Sequence, residues 1–366
     1  MESNSKPHIL TQKKIAQALG ISLVTVNRAL NNSGCVSPKL KKQILDYVKK
    51  NDYIPVRVSQ VLLRNKVRTI VVFSSSSPEY FWDDIYRGIK TAGDQIKAFN
   101  YEVRYRRIPD LDTAAYIAIL EEEIQRGVDA IALVNQWLYD MDTIIAEIEK
   151  AAIPYIFYNT DGRDYQRLCY IGTDYRSGGR LAANVMGKAL VIKRNARAMV
   201  IAIDDTSYNR EIKPDINTDR LMGFLDAMKE EYPEIEILTE VMVPKSEKSK
   251  EAQIQSFLKI HEHQIDGLYI IPSFNSAYVW NFENLDYKNV FTIRTDLDAL
   301  SLEHLKNDLL SVVIYQDPFL QGYQAVRFLE MVLENNIRDR QDDIEISHNV
   351  IFKENTGILH RFKEMV

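Results

Sequence analysis

The stretch KKIAQALGISLVTVNRALNNSGCVSPKLKKQILDYVKKNDYIP, residues 13–55, carries start and stop signals for three short helices. Gly20 is a helix stop, and Ser22 directly after it is an N-cap residue for a second helix. Ser37 and Pro38 begin a third helix, with the cap first and proline in the first turn. Two short helices joined by a glycine turn, with a third packed across them, predict a helix-turn-helix.

Each of these helices has an apolar face. Apolar residues recur at helical spacing, so the three helices are expected to share a small core. The residues assigned to that core are Ile15, Ala16, Leu19, Val26, Leu30, Leu40, Ile44, Leu45 and Val48. A three-helix knob without a nucleic-acid role is the alternative interpretation.

The charge of the chain is divided unevenly. Residues 1–66 hold nine lysines and three arginines against three acidic residues, a net charge of +9. The whole chain carries −5, which leaves −14 on the remaining residues. A basic head on an acidic body predicts that only the head meets a polyanion such as DNA.

The head resembles that of the lac-repressor (LacI/GalR) family of transcription regulators. The matching pieces are IAQALGIS, TVNRALN, VSPKLKKQI and NDYIP. The resemblance implies a helix-turn-helix DNA-binding domain over residues 1–55. It also implies a hinge helix and linker over 56–66 that folds on the operator and wedges Leu62 into the minor groove. Asn27, Val56, Ser59 and Leu63-Arg64 depart from the family pattern, so the operator sequence is not implied.

The side chains of the second helix suit DNA. Arg28 can contact a guanine through two hydrogen bonds or clamp a phosphate. Leu23 and Val24 can contact thymine methyl groups only, and Thr25 and Asn27 suit phosphates. The predicted DNA-binding residues are Thr11, Ser22, Leu23, Val24, Thr25, Asn27, Arg28, Asn31, Tyr53, Arg57 and Leu62.

From residue 67 to 366, β-rich runs alternate with helical segments. Predicted strands cover 69–73, 101–105, 130–134, 155–158, 198–203, 236–243, 267–271, 290–294 and 311–315; predicted helices cover 82–97, 113–126, 141–151, 218–231, 248–261 and 319–335. The alternation predicts an α/β fold with doubly wound parallel sheets. About 300 residues exceed one sheet, so two lobes are expected, with a ligand cleft beyond the carboxyl ends of the strands.

The body resembles the type I periplasmic sugar-binding-protein fold that this family uses as its sensor. The resemblance rests on YIGTDYRSGGRLAANVM, which is expected to open a helix, on RLMGFLDAM and on IYQDPFLQGYQAVRFL. It implies an effector-binding and dimerisation domain. The implied effector-binding residues are Phe81, Trp82, Asn159, Arg220, Ser273, Phe274, Asp296 and Gln316.

The chemistry of this set fits a carbohydrate. Charged and amide groups pair with vicinal hydroxyls, and an aromatic ring covers the apolar face of a pyranose. Each residue also has a plainer interpretation: Arg220 as a surface ion pair, Phe81 and Trp82 as core, Gln316 as a helix cap. The family's asparagine-aspartate pair is replaced by Ser273-Phe274, so no relative supplies the identity of the ligand.

Other signals argue against a membrane protein or an enzyme. No apolar stretch is long enough to span a membrane, and no secretory signal is visible. The two cysteines lie far apart, which is typical of a reducing cytoplasm. His261 and His263 lack further metal ligands, and no phosphate loop or nucleophile elbow is present. We therefore expect no metal, no cofactor and no catalytic residues.

The sequence thus predicts a cytoplasmic homodimer that represses transcription from a pseudo-palindromic operator and responds to a sugar or sugar derivative. A non-sugar corepressor such as a purine is the first alternative, and an enzyme fused to a DNA-binding head is the second. A transport-binding protein is disfavoured by the basic head. Whether the effector releases the protein from DNA or is needed for binding stays open.

The first prediction concerns Arg28. If its guanidinium reads a guanine, Arg28→Ala weakens binding to the operator by roughly 1–3 kcal/mol. Affinity for random DNA falls less, since that binding depends on phosphate neutralisation and weakens steeply with salt. Anisotropy titrations on an operator selected from random DNA and on a scrambled duplex measure both. Equal losses on the two duplexes contradict base reading and assign Arg28 to a phosphate.

Overall fold

A computed structural model describes residues 12–22, 25–26, 29, 36–50, 66–76, 78–108, 113–136, 139–203, 216–242, 256–261, 263–271 and 289–359. The chain divides into two compact units. The head unit comprises Met1–Arg68 with Ile96–Tyr101, and the body comprises Thr69–Gln95 with Glu102–Val366.

The head is helical where the start and stop signals in the sequence predict helices. Helix α1, Gln12–Leu19, ends at Gly20, whose φ of +64° lies in the left-handed region that glycine tolerates. The Ser22 hydroxyl accepts the Thr25 N–H at 3.0 Å, as an N-cap does, and residues 25, 26 and 29 are helical. Helix α2 spans Pro38–Lys50. Leu30 and residues 56–65 of the predicted hinge and linker lie outside the described residues.

The described residues that were predicted for the head core lie in it except for Leu45, and the core also contains Ala29, which was not predicted. Ile15, Ala16, Val26, Ala29 and Ile44 form a buried cluster, with Leu19, Leu40 and Val48 packed against it. The assignment of Leu45 to this core was wrong, because its side chain is 43% exposed. One residue along a helix turns about 100°, so Leu45 lies off the face that Ile44 buries.

The body contains two six-stranded sheets. The strands are β1 Arg68–Ser74, β2 Tyr101–Arg107, β3 Ala130–Leu133, β4 Tyr155–Tyr158, β5 Tyr170–Gly172, β6 Arg197–Ile203, β7 Glu236–Met242, β8 Gly267–Ile271, β9 Phe291–Thr295, β10 Val312–Tyr315, β11 Ile344–Glu345 and β12 Asn349–Ile351. Sheet A has the order β11-β5-β4-β3-β1-β2, and sheet B has the order β12-β10-β9-β8-β6-β7.

Helices cover these sheets. They are α3 Glu79–Lys97, α4 Thr113–Arg126, α5 Met141–Lys150, α6 Tyr175–Leu190, α7 Ile216–Glu231, α8 Ala299–Lys306 and α9 Pro318–Asn335, with a 3₁₀ helix at Lys353–Leu359. Strand pairs β1/β3, β3/β4, β4/β5 and β5/β11 are parallel, as are β6/β7, β6/β8, β8/β9 and β9/β10. Strand β12 pairs antiparallel with β10. The predicted two-lobed, parallel α/β architecture is confirmed.

The chain passes between the two lobes three times. It leaves sheet A after β5, and α6 then packs into the core of the sheet B lobe. It returns after β10, and α9 packs against strands β3 and β4 of sheet A. It passes once more between β11 and β12. The two sheets have the same strand order, so β4 and β9 hold equivalent positions, as do β5 and β10.

Each lobe contains a close helix crossing at two glycines. A Cβ added at Gly179 of α6 would overlap the backbone carbonyl of Arg220 on α7, and one added at Gly223 of α7 would overlap the carbonyl of Arg176. Gly88 of α3 and Gly322 of α9 make the same reciprocal contact in the other lobe, with the carbonyls of Phe319 and Ile85. Backbone therefore packs directly on backbone at both crossings.

Most predicted body elements are present. All nine predicted strands and five of the predicted helices are found within three residues of their predicted bounds. Of the segment 248–261 only residues 256–261 are described, and 256–260 are helical. The short strands β5, β11 and β12 and the helix α8 were missed. A strand of two or three residues is too short to show an alternation of apolar and polar residues, so only its hydrogen bonds to a neighbouring strand identify it. Among the described residues, no helix has the length and apolar character of a membrane span.

The second prediction tests the crossing of α6 and α7. Gly179→Ala places a methyl group against the Arg220 carbonyl, and we expect overpacking to destabilise the protein by about 1–3 kcal/mol. Helix propensity alone predicts the opposite sign, a gain of about 1 kcal/mol. Denaturant unfolding measures the difference.

Gly357→Ala is the matched control, because a Cβ at that glycine meets nothing within 4 Å. A Gly179→Ala protein as stable as Gly357→Ala contradicts the close crossing.

Candidate functional site

A cleft lies between the two lobes and is partly open to solvent. Both lobes contribute to its wall, at the carboxyl ends of strands and the amino ends of helices. The lining residues are Pro78, Tyr80, Phe81, Trp82, Asn159, Tyr175, Ile216, Asn217, Arg220, Asp296 and Gln316.

Two of these residues follow equivalent strands. Asn159 comes directly after β4, and Asp296 comes directly after β9. Both are buried and have φ values of +62° and +65°. Non-glycine residues in the left-handed region are uncommon, and Asn and Asp tolerate it best. The turn at each strand end aims one polar side chain from each lobe at the same space.

A second equivalent pair follows the next strands. Thr173 comes after β5 and Gln316 after β10, and their side chains approach within 3.4 Å. The next residue in each case is an aspartate, Asp174 or Asp317, that caps the following helix. The predicted alternative for Gln316, capping its own helix, is wrong, because Asp317 accepts the Leu320 N–H at 3.0 Å.

Arg220 enters the cleft from the second turn of α7. Its side chain is 3% exposed, and its guanidinium carbon lies 4.9 Å from the centre of the Tyr175 ring, a cation–π contact. Nη1 donates to Asn217 Oδ1 at 3.4 Å, and Nη2 lies 3.9 Å from Asp296 Oδ2. Within the described part of the chain Nη2 makes no hydrogen bond. A buried donor without a partner suits an oxygen of a bound molecule.

Asp296 provides a carboxylate that accepts hydrogen bonds in the cleft. Its Oδ1 accepts the Gln316 Nε2–H at 2.8 Å. Burial raises the pKa of the Asp296 carboxyl, although Arg220 and the Gln316 hydrogen bond oppose that rise. Desolvation of the carboxylate therefore outweighs the present partners. A ligand hydroxyl that donates to Oδ2 would offset part of this desolvation.

Aromatic rings form the apolar part of the wall. Phe81 and Trp82 meet edge-to-face with ring centres 5.3 Å apart, and Trp82 meets Tyr158 in the same manner at 6.5 Å. Trp82 is only 2% exposed. The rings that line the space are those of Tyr80, Phe81, Trp82 and Tyr175. Apolar rings opposite charged and amide groups are the arrangement that binds a polyol with one apolar face.

The cleft unites all the predicted effector residues that the structure describes: Phe81, Trp82, Asn159, Arg220, Asp296 and Gln316. The interpretation of Arg220 as a surface ion pair is wrong, since it is buried. Ser273 and Phe274 lie outside the described residues. Tyr80, Tyr175 and Asn217 also line the cleft and were not predicted from the sequence. Tyr175 follows the aspartate cap of α6, and Asn217 lies one turn before Arg220, so helix-start signals could have indicated both.

The predicted DNA interface is described only in part. Ser22 is exposed and caps the second helix, and Thr25 is half-buried in its first turn. Both are therefore at the amino end of the predicted recognition helix. The other predicted contacts lie outside the described residues: Thr11, Leu23, Val24, Asn27, Arg28, Asn31, Tyr53, Arg57 and Leu62. In the parts of the chain that are described, no cluster of three His, Cys, Asp or Glu side chains could hold a metal ion.

Curated relatives share segments of this chain. The HTH-type transcriptional regulator RegA of Clostridium acetobutylicum is 34% identical over 119 residues, 32% of this chain and 34% of that protein. The Sucrose operon repressor of Staphylococcus xylosus is 28% identical over 174 residues, 48% of this chain and 51% of that protein. The matches thus span about a third to a half of these relatives.

Solved structures share the fold of the body. An ABC transporter solute binding protein from Burkholderia graminis, in complex with D-arabinose, aligns with a TM-score of 0.66 at 20% identity and covers 80% of this chain and 97% of its own. GanP, a glucose-galactose binding protein from Geobacillus stearothermophilus, aligns with a TM-score of 0.63 at 18% identity and covers 80% and 99%.

Two family models match the chain. Residues 70–337, well over half of it, match the periplasmic binding protein domain. Residues 11–56 match the bacterial regulatory proteins of the lacI family. The chain therefore belongs, over most of its length, to the periplasmic binding protein domain family, and it carries a segment of the lacI family of bacterial regulatory proteins at residues 11–56.

Proposed function

We propose that this chain is a sequence-specific DNA-binding repressor whose operator affinity is switched by a sugar or sugar derivative held between the lobes of its body. The observation that carries the proposal is the unpaired, buried Nη2 of Arg220 beside the carboxylate of Asp296. A hydrogen-bond donor and a hydrogen-bond acceptor this close together can bind two neighbouring hydroxyl groups, and sugars present hydroxyl groups in such pairs.

The charges in the cleft favour an uncharged polyol over an anion. Arg220 supplies a positive charge, and Asp296, 3.9 Å away, supplies a negative one. A phosphate or carboxylate placed near Arg220 would also meet the Asp296 carboxylate, and like charges in a buried site repel strongly. Hydroxyl groups can donate to one residue and accept from the other without that penalty.

The relatives support both halves of the proposal. One matching protein is named a sucrose operon repressor, and the aligned solute-binding proteins are named for D-arabinose or for glucose and galactose. The head matches the lacI family and carries the net positive charge. We assign DNA binding to residues 1–55, the hinge to 56–66, and effector binding and dimerisation to 67–366.

We further propose that the protein is not an enzyme. The cleft groups that we assign are Arg220, Asp296, Gln316 and Asn159, which form hydrogen bonds but include no activated nucleophile. Incubation of the protein with a bound sugar, followed by chromatography of the sugar, tests this point. Recovery of a modified sugar in amounts that grow with time contradicts it.

The third prediction concerns the two charged cleft residues. Arg220→Ala and Asp296→Ala each leave polar groups of the bound sugar unpaired, at roughly 1–3 kcal/mol, and so weaken binding at least several-fold. Operator binding without sugar stays near that of the unaltered protein. Calorimetric titration follows a thermal-shift screen against D-arabinose, D-glucose, D-galactose, sucrose, uronic acids and purines.

Arg180→Ala is the control, because Arg180 lies on the exposed side of α6 and pairs with Glu230 on the protein surface. Sugar affinity unchanged in both cleft variants refutes the assignment of these residues. Binding of a purine and of no sugar would establish the corepressor alternative instead.

The fourth prediction concerns assembly. One helix-turn-helix buries too little surface for high specificity, so we propose a homodimer that reads two half-sites of a pseudo-palindromic operator. Sedimentation velocity at micromolar concentration should give the mass of two chains. A monomer that retains full affinity for the palindromic operator is inconsistent with this assembly.

A further inference from the structure

Gln321 is a fully buried amide in the first turn of α9, outside the lining of the cleft. Burial of an amide is unfavourable unless its hydrogen-bonding groups are satisfied. Gln321 satisfies them with two residues that do line the cleft. Its Nε2 donates to the Gln316 backbone carbonyl at 2.9 Å, and its Oε1 accepts from Asn159 Nδ2 at 3.1 Å.

From this geometry we propose that Gln321 is a positioning residue that fixes the orientation of the Asn159 and Gln316 side-chain amides before a ligand binds. The inference rests on the proposed sugar-responsive function, because it assigns a role to that same cleft. Gln321 is not among the residues that line the cleft, and it acts through Asn159 and Gln316, which line it.

The orientation of Gln321 follows from a backbone group. The Gln316 carbonyl can only accept a hydrogen bond, so the NH₂ end of the Gln321 amide must face it. The oxygen end of that amide then faces Asn159, and a donor must meet it. Asn159 therefore points its NH₂ group at Gln321. Its Oδ1 is left on the side of Thr160, whose hydroxyl donates to it at 3.3 Å.

The Gln316 amide is oriented by the same logic. Its Oε1 lies 3.5 Å from the Gln321 NH₂ group and accepts from the Thr173 hydroxyl at 3.4 Å. Its NH₂ group faces the Asp296 carboxylate at 2.8 Å. The chain of contacts runs from Asn159 in one lobe, through Gln321 and Gln316, to Asp296 in the other.

A fixed amide is a better recognition group than a rotating one. Without Gln321, the Asn159 amide could turn over and exchange its donor for its acceptor. Binding of a sugar hydroxyl would then require one orientation of the amide, and the conformational entropy lost in fixing that orientation would weaken binding. With Gln321 in place, that ordering is complete in the free protein.

Side-chain amide hydrogen exchange tests the proposal without any ligand. NMR of protein labelled with ¹⁵N in asparagine and glutamine side chains, with signals assigned through Asn159→Ala and Gln316→Ala, reports each amide. Gln321→Met keeps the length and removes the hydrogen bonds, and it should accelerate exchange at both Asn159 and Gln316. Gln324→Met, on the same helix and half-buried, should leave both unchanged. Unaltered exchange at both sites in Gln321→Met overturns the proposal.

Calorimetry with D-arabinose, D-glucose, D-galactose and sucrose tests the consequence for binding. For whichever of these the unaltered protein binds, Gln321→Met should lower affinity about tenfold, as expected when one buried amide loses its partner. In an Asn159→Ala/Gln316→Ala background the same substitution should change affinity less than about twofold. A full tenfold loss in that background means a general structural role and contradicts positioning. If the unaltered protein binds none of the four sugars, the proposed sugar class fails, and amide exchange alone still decides the role of Gln321.

Discussion

The backbone contact between α6 and α7 sets the position of the Arg220 side chain, which supplies the positive charge of the cleft. The carbonyl that packs on Gly179 belongs to Arg220, the same residue whose guanidinium enters the cleft. Any side chain at position 179 would push this turn of α7 outward and carry Arg220 with it. The reciprocal contact at Gly223 restricts the crossing from the other side. The site thus depends on two positions where the absence of a side chain is the requirement.

The cleft combines this rigid backbone frame with a buried carboxylate, that of Asp296, whose charge is only partly offset by neighbouring groups. Asp296 is buried, accepts one hydrogen bond from Gln316 and lies 3.9 Å from Arg220, and its pKa is raised by burial. The protein holds these groups in place, and among the described residues the Arg220 Nη2 makes no hydrogen bond. Such an arrangement lowers the stability of the empty protein and gives binding energy to a ligand that completes the contacts. Since Asp296 and Gln316 belong to one lobe and Asn159 to the other, a ligand that uses all three favours one arrangement of the lobes.

The sequence supported prediction of the architecture and of much of the site, for identifiable reasons. Long periodic segments such as 79–97 and 318–335 fill their helices, and polar residues directly after strands, such as Asp296 and Gln316, converge because parallel strands end at one edge. Leu45 was misplaced because one step around a helix decides burial. Gln321 was missed because its role depends on contacts with residues far away in the chain, Asn159 among them. The glycine crossings were equally invisible, since a glycine in a helix gives no indication of what packs on it.

Coupling between occupancy of the cleft and affinity for DNA is the property that we propose for this chain. It is tested most directly by the dissociation constant for the selected operator, measured by fluorescence anisotropy with and without a saturating concentration of the sugar that the protein binds. Coupling between two sites in regulatory proteins is typically 1–3 kcal/mol, or about 5- to 150-fold. We predict that the sugar changes operator affinity by a factor within that range and leaves binding to scrambled DNA nearly unchanged. An identical operator affinity with the cleft empty and full would contradict the account.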